Sequence, residues 1–258
     1  LKDDPQTLVA KLKELSDKLF AKNRLIVSFT ASRASYEKAA GKLTAAIDLL
    51  NDKSAVGKEA ELPLTKKNEG FTDASQIQYV ARAGSFTKHG LAYHGALKVL
   101  RLILEYDYMW INIRVKGGAY GCMAAFLRTG ETYFVSYRDP NLAKTNEVYE
   151  GIPEYVKNFD PDERDMTKYI IGTFGSLDTP LNPEAKGSRS MAAYLEDLTF
   201  EDVQRERDEI LAATKEDIRA LADRIEAVLS DGNLCVIGNE NMIREAAGMF
   251  DKIEKLYV

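Results

Sequence analysis

Histidine is nearly missing from this chain: 258 residues hold two, His89 and His94. They stand five positions apart with no acidic residue between them. On a helix that spacing separates two side chains by roughly 140° around the axis, so the pair does not converge on one ion. Metal binding by this chain alone is therefore not expected. Cysteine is equally sparse. Cys122 and Cys235 form no Cys-x-x-Cys pair, which excludes a metal cluster or a redox motif of the usual spacing. Each sits in an apolar, strand-like run and is expected to behave as a small buried hydrophobe in a reducing compartment. With no Gly-x-Ser-x-Gly elbow and no histidine placed to serve either thiol, nucleophilic catalysis lacks its parts as well.

An excess of positive charge is also absent. Thirty-five Lys and Arg face 40 Asp and Glu, giving a net charge of -5 and a pI near 5.3. No basic stripe gathers the cations, and Lys66-Lys67 reads as solvated surface, so no nucleic-acid partner is expected. No apolar run reaches the ~18–20 residues needed to cross a membrane. The longest candidate, Leu97 to Trp110, is interrupted by Lys98, Arg101, Glu105 and Asp107, and no membrane partner is expected. Neither a methionine nor a leader pattern opens the chain. Leu1 is accordingly expected to be an internal starting point in a longer polypeptide.

What is present is a regular alternation of helical and strand patterns. Asp4-Pro5 opens an amphipathic helix through Leu8, Leu12, Leu15 and Leu19. Arg24 to Thr30 reads as a strand, and Ser35 to Leu50 returns to helical period. Asn51 to Gly70 is polar, with Pro63 and two glycines, and reads as a linker. Gln76 to Phe86 alternates as a strand, and His89 to about Ile113 reads as a long apolar helix. Tyr120–Leu127 and Glu131–Arg138 form a hairpin around Thr129-Gly130. Helical runs follow over 140–159, 161–174, 184–196 and 200–213. Thr214 with Asp217 is a capping box that opens a helix to Leu229. A short strand at Leu234–Ile237 and a closing helix from Asn241 to Leu256 complete the chain.

The end of the chain thus repeats the plan of its beginning, Asn23–Val27 aligning in pattern with Gly232–Val236. Residues 1–56 are read as the helix-strand-helix tail of one α/β domain, 57–70 as a linker and 71–258 as a complete homologous domain. The expected class is α+β, with helices packed on one mostly antiparallel sheet.

The densest chemistry lies in Ile111-Asn-Ile-Arg114-Val-Lys-Gly117-Gly118-Ala-Tyr120-Gly121. Three glycines in five residues admit close backbone approach. Arg114 carries a planar, permanently charged fork suited to carbonyl or carboxylate oxygens, and Tyr120 offers an O–H that can donate to a developing oxyanion. A glycine loop that precedes a strand is not a dinucleotide cradle, which follows a strand and opens a helix. The bland alternatives are an arginine capping helix carbonyls and a tyrosine packing its ring in a strand. Tyr106, Tyr108, Met109 and Trp110 lead into this loop, as core or as the lining of an apolar chamber.

This segment, with Val135-Ser-Tyr137-Arg138-Asp139-Pro140-Asn141-Leu142, Ile170 to Asp178, Ala185-Lys186-Gly187 and Arg205 to Leu211, resembles the C-terminal half of insulinase/pitrilysin-type zinc metallopeptidases. Their presequence peptidase (falcilysin-like) branch is the nearest in pattern. The resemblance runs in order from about Ser75 to the end. It implies an insulinase/processing-peptidase-like fold and a zinc metallopeptidase as the parent protein. The zinc would be bound by an N-terminal catalytic half outside this chain, which departs from the family's His-x-x-Glu-His pattern and would be inactive alone. The partners implied are that half of the same polypeptide and an unstructured peptide substrate enclosed between the halves. Tyr120 would hydrogen-bond the scissile carbonyl as it becomes tetrahedral. Arg114 would hold a substrate backbone carbonyl, with Gly117 and Gly118 beside it. The compartment implied is the bacterial cytoplasm or an organelle matrix. The alternative is a catalytically silent scaffold or partner subunit of the same fold that binds polypeptide.

Overall fold

The computed structural model describes residues 4–52 and 65–256. They fall into two compact units, one within Leu1–Pro63 and Pro180–Thr199, the other within Leu64–Thr179 and Phe200–Val258. The expected linker at 57–70 lies mostly outside the described residues.

The first unit opens with α1 (Pro5–Leu19), which has proline in its first turn, and α2 (Arg33–Asp48), which begins where the Ser32 hydroxyl accepts the Ser35 N–H. Leu8, Leu12, Leu15 and Leu19 form the expected stripe on α1, and all four are exposed. Between the helices, Lys22–Arg24 is a 3-10 turn, and residues 25–30 carry neither helix nor ladder. The strand expected there is not formed: its apolar residues have strand propensity, but a strand needs a hydrogen-bonding neighbour, and the described residues provide none.

The second unit is built on a six-stranded sheet. Its strands are β1 (Glu69–Asp73), β2 (Gln78–Ser85), β3 (Gly121–Phe126), β4 (Glu131–Asp139), β5 (Asn233–Asn239) and β6 (Lys252–Lys255), in spatial order β3-β4-β2-β5-β1-β6. The three pairings from β3 to β5 are antiparallel and the two at the other edge, β5-β1 and β1-β6, are parallel. The hairpin β3-β4 turns at Gly130, as the sequence indicates. β1 begins at Glu69, inside the stretch expected as linker.

One face of the sheet presents Val80, Ala124, Phe134, Leu234 and Val236, all buried. Helix α3 (Ala96–Ile103) covers it with Leu97, Val99, Leu100 and Ile103, each fully buried. The chain runs on through α4 (Ala143–Glu150), α5 (Ile152–Lys157) and α6 (Glu163–Leu177), and then through α7 (Pro183–Leu195), which belongs to the first unit. There Gly187 lets α7 approach Thr30, whose hydroxyl would lie 1.9 Å from an added Cβ. α8 (Phe200–Leu211), α9 (Lys215–Ala220) and α10 (Ala222–Ser230) return to the second unit. Ile210, Ile218 and Ile225 there complete the core under α3 and β2. α9 opens with the Thr214–Asp217 capping box read from the sequence.

Two further elements and one residue depart from the sequence pattern. The long helix expected from His89 begins only at Ala96. From Leu104 it continues as two π-helical stretches, Leu104–Tyr108 and Trp110–Val115. The closing helix is shorter than expected. α11 (Glu240–Glu245) gives way to a 3-10 turn and then to β6, because the edge of β1 offers residues 252–255 a ladder that the helical pattern does not reveal. Cys235 is not a buried hydrophobe but points to the uncovered face of the sheet, one position out of phase with Leu234 and Val236. Cys122 is half-buried, and burial pushes its thiol up to about 11.

Candidate functional site

The π-helical stretch ends at Val115, and the chain must reverse within five residues to enter β3 at Gly121. Ile111 accepts the Lys116 N–H at 2.9 Å, Arg114 the Gly118 N–H at 2.9 Å and Ile113 the Ala119 N–H at 3.1 Å. That reversal needs glycine at two places. A Cβ on Gly117 would lie 2.4 Å from the Ile113 carbonyl oxygen, and Gly118 sits at φ 82° in the left-handed region. π-helical bulges of this sort concentrate at functional sites, because they re-aim side chains that a regular helix would space evenly.

The side chains re-aimed here are Trp110 and Arg114. The Arg114 guanidinium stacks 4.3 Å from the Trp110 ring centroid, donates to the Tyr120 carbonyl at 2.6 Å, and lies 5.7 Å from the Tyr120 ring. Arg114 and Tyr120 are thus brought to the same side of the turn, beside Gly117 and Gly118. Tyr120 is 58% exposed, with its ring edge-on to Tyr137 at 5.5 Å. Tyr137 in turn covers Gly121, where a Cβ would meet its ring at 2.5 Å. The Arg138 guanidinium stands 5.8 Å from the Tyr120 ring. An exposed phenol beside two guanidinium groups, one of them held on Trp110 and the Tyr120 carbonyl, can donate to a carbonyl oxygen while the cations stabilise developing negative charge.

The aromatic run ahead of the loop divides. Met109 is fully buried. Tyr108 is half-buried against Tyr155 at 4.6 Å and donates to the Val148 carbonyl, so both are core. Tyr106 and Trp110 are exposed. Tyr155 donates to Asp107 at 2.8 Å; burial first, and that carboxylate second, hold its hydroxyl well above the usual tyrosine range.

In the sequence the 138–141 segment carries the family resemblance and no chemistry of its own. Arg138 adopts φ 50°, which is strained for a residue with a Cβ, and its carbonyl accepts the Tyr120 N–H at 3.3 Å. Asp139 is fully buried and Asn141 reaches the Gly117 carbonyl. Nothing in their spacing announces those contacts; the Asp-Pro-Asn run signals only a turn.

Residues 68–240 match the PreP C-terminal domain family. The chain belongs to that family. Protein HypA of Clostridium perfringens is 40% identical over 254 residues, spanning 98% of this chain and 26% of that protein. Presequence protease 1, chloroplastic/mitochondrial, of Arabidopsis thaliana is 33% identical over 234 residues, 89% of this chain and 22% of that one. The chain therefore spans about a quarter of the length of these curated relatives.

Among solved structures, the peptidase M16 inactive domain from Pseudomonas fluorescens superposes with a TM-score of 0.56 at 16% identity, over 81% of this chain and 51% of that one. Pitrilysin superposes with a TM-score of 0.53 at 12% identity, over 80% and 23%. These two likenesses establish a shared α+β fold.

Among the described residues no three His, Cys, Asp or Glu side chains converge on a metal position. His89 Nε2 lies 2.9 Å from Asp231, and His94 Nδ1 accepts the Ala96 N–H at 3.1 Å, so each ring is committed to its own local structure. No helix among the described residues is long and apolar enough to cross a membrane.

Proposed function

We propose that this chain is the non-zinc-binding C-terminal portion of a zinc metalloendopeptidase that degrades unstructured peptides in an enclosed chamber. The observation that carries the reading is the exposed Tyr120 phenol held beside the Arg114 fork at the Gly117–Gly118 turn. In this reading Tyr120 donates a hydrogen bond to the scissile carbonyl oxygen as it gains charge, and Arg114 holds a neighbouring carbonyl of the peptide backbone. Both guanidinium groups near Tyr120 favour that charge. The zinc belongs to the N-terminal catalytic half of the same polypeptide, and no step of the chemistry is assigned to a metal on this chain.

Residues 1–56 are then the tail of a preceding homologous domain and 71–258 a second copy of the same architecture, joined by the 57–70 linker. The relatives' names support a peptidase, and those that print a location place it in mitochondria or chloroplasts; for this chain an organelle matrix, or the cytoplasm of a bacterium, follows from the same reading. Neither nucleic acid nor membrane is a partner.

The experiment is to assay an unstructured peptide with the purified 258-residue chain and with the full polypeptide, each with and without a zinc chelator. Chelator-sensitive cleavage by the full polypeptide alone is expected. Zinc-dependent cleavage by the chain alone overturns the division of labour. No cleavage by either form favours a catalytically silent partner that binds polypeptide.

A further inference from the structure

The loop that carries Tyr120 is fastened to β4 and to the turn after it at four points. The Tyr120 N–H reaches the Arg138 carbonyl, the Tyr120 ring meets Tyr137, and Gly118 packs against Pro140, whose Cγ would lie 3.5 Å from an added Cβ. The fourth is the shortest: Asn141 Nδ2 donates to the Gly117 carbonyl at 2.6 Å. Asn141 is itself held. The Asp139 carboxyl, fully buried, accepts the Asn141 N–H at 2.9 Å and its side-chain amide at 3.4 Å on one oxygen. On the other oxygen it accepts the Thr145 hydroxyl, from the first turn of α4, at 2.8 Å.

Burying a carboxyl costs several kcal/mol unless each oxygen is satisfied, and here every donor it uses serves to orient Asn141 or to pin the start of α4. A fork on Asp139 thus reaches, through one carboxamide, the carbonyl of the residue three before Tyr120. Among the described residues, Asn141 supplies the one side-chain donor that the Gly117 carbonyl receives.

We propose that Asn141, oriented by the buried Asp139 carboxyl, is a positioning residue for Tyr120: it fixes the Gly117–Tyr120 loop so that the phenol stands where the substrate carbonyl must be met. The role in catalysis rests on the peptidase reading given above; the loop anchoring does not. Asn141 acts through Tyr120 and touches no substrate. A misplacement on the order of 1 Å at a reacting centre costs roughly 100-fold in rate, so the effect belongs in kcat.

The test is a double-mutant cycle in the full polypeptide, with Asn141→Ala, the near-isosteric Asn141→Asp, which replaces the donor by an acceptor, and Tyr120→Phe. Each Asn141 variant is expected to lower kcat about 10- to 100-fold with KM changed less than about threefold. In the Tyr120→Phe background the further loss from Asn141→Ala is expected to shrink below about threefold, since the group it positions is gone. An unchanged kcat, or an equal loss in both backgrounds, overturns the proposal.

Hydrogen exchange on the 258-residue chain gives the second readout. Asn141→Ala is expected to speed exchange at Gly118, Ala119 and Tyr120 while Met123–Phe126 stay protected; uniform change or no change overturns the anchoring. If Tyr120→Phe leaves kcat intact but the local exchange still rises, the anchoring stands and it is the peptidase role of Tyr120 that fails.

Discussion

Arg114 lies face-on to Trp110, its guanidinium carbon 4.3 Å from the ring centroid, and Trp110 is the single tryptophan in the chain. The stack holds the arginine at the surface in one orientation, and a partly exposed cation–π contact of this kind is worth about 0.5–1 kcal/mol. It also makes the site self-reporting.

If the proposed function holds, Trp110 emission is expected to change when an unstructured peptide binds, because Arg114 would leave the Tyr120 carbonyl to take up a substrate carbonyl. Titration of the 258-residue chain with a peptide free of tryptophan reads this directly. Arg114→Ala should abolish the change while leaving the unfolding midpoint within about 1 kcal/mol of the parent. A full response in that variant places the peptide elsewhere.

Tyr120→Phe in the full polypeptide is expected to lower kcat about 100- to 1,000-fold, the scale on which loss of one oxyanion donor acts, with little change in KM. Arg114→Ala should weaken kcat and KM together, since it holds backbone in ground and transition states alike. Both variants should keep their zinc. Steady-state kinetics with metal analysis separate the two; a pure KM effect at Tyr120 would return it to a packing role.

The glycines of the turn should be intolerant for different reasons. Gly118→Ala forces a side chain into the left-handed region and is expected to cost about 1–2 kcal/mol. Gly117→Ala drives a Cβ toward the Ile113 carbonyl and should cost more than Gly118→Ala. Gly175 in α6 has open space around its Cβ position, so Gly175→Ala should raise stability by about 0.5–1 kcal/mol. Urea unfolding of the three variants gives the ranking, and equal effects would show that helix propensity alone governs them.

The α9 capping box carries a pH signature. The Thr214 hydroxyl first, and its backbone N–H second, hold the Asp217 carboxyl below its ordinary range. A folded pKa below the unfolded one means stability that is present above the unfolded value and lost as pH falls through the folded one. Thr214→Ala is expected to cost about 1 kcal/mol at neutral pH. Asp217→Asn should cost stability at neutral pH, with the difference from the parent fading below about pH 4. Thermal unfolding at pH 7 and at pH 3 tests this; a pH-independent deficit in Asp217→Asn would assign its effect to packing.

Much of this protein was written in local pattern. The capping box, the Gly130 hairpin and the proline-led start of α1 depend on neighbours within a few residues, and each forms where the sequence puts it. The Arg114–Tyr120 pair is named by the family resemblance, whereas the residues alone leave an arginine capping carbonyls and a tyrosine packing its ring open as well. Long-range pairing decided the rest. Residues 252–255 have a helical pattern upstream of them, yet the free edge of β1 draws them into a parallel ladder. Residues 25–30 have strand composition, yet with no neighbouring strand among the described residues they stay unpaired. The hold of Asn141 on Gly117 joins positions 24 residues apart and is fixed only when β4 closes beside β3. A sequence determines the propensity of each segment; which backbone satisfies which is settled when hydrogen-bonding groups compete for partners in the folded chain.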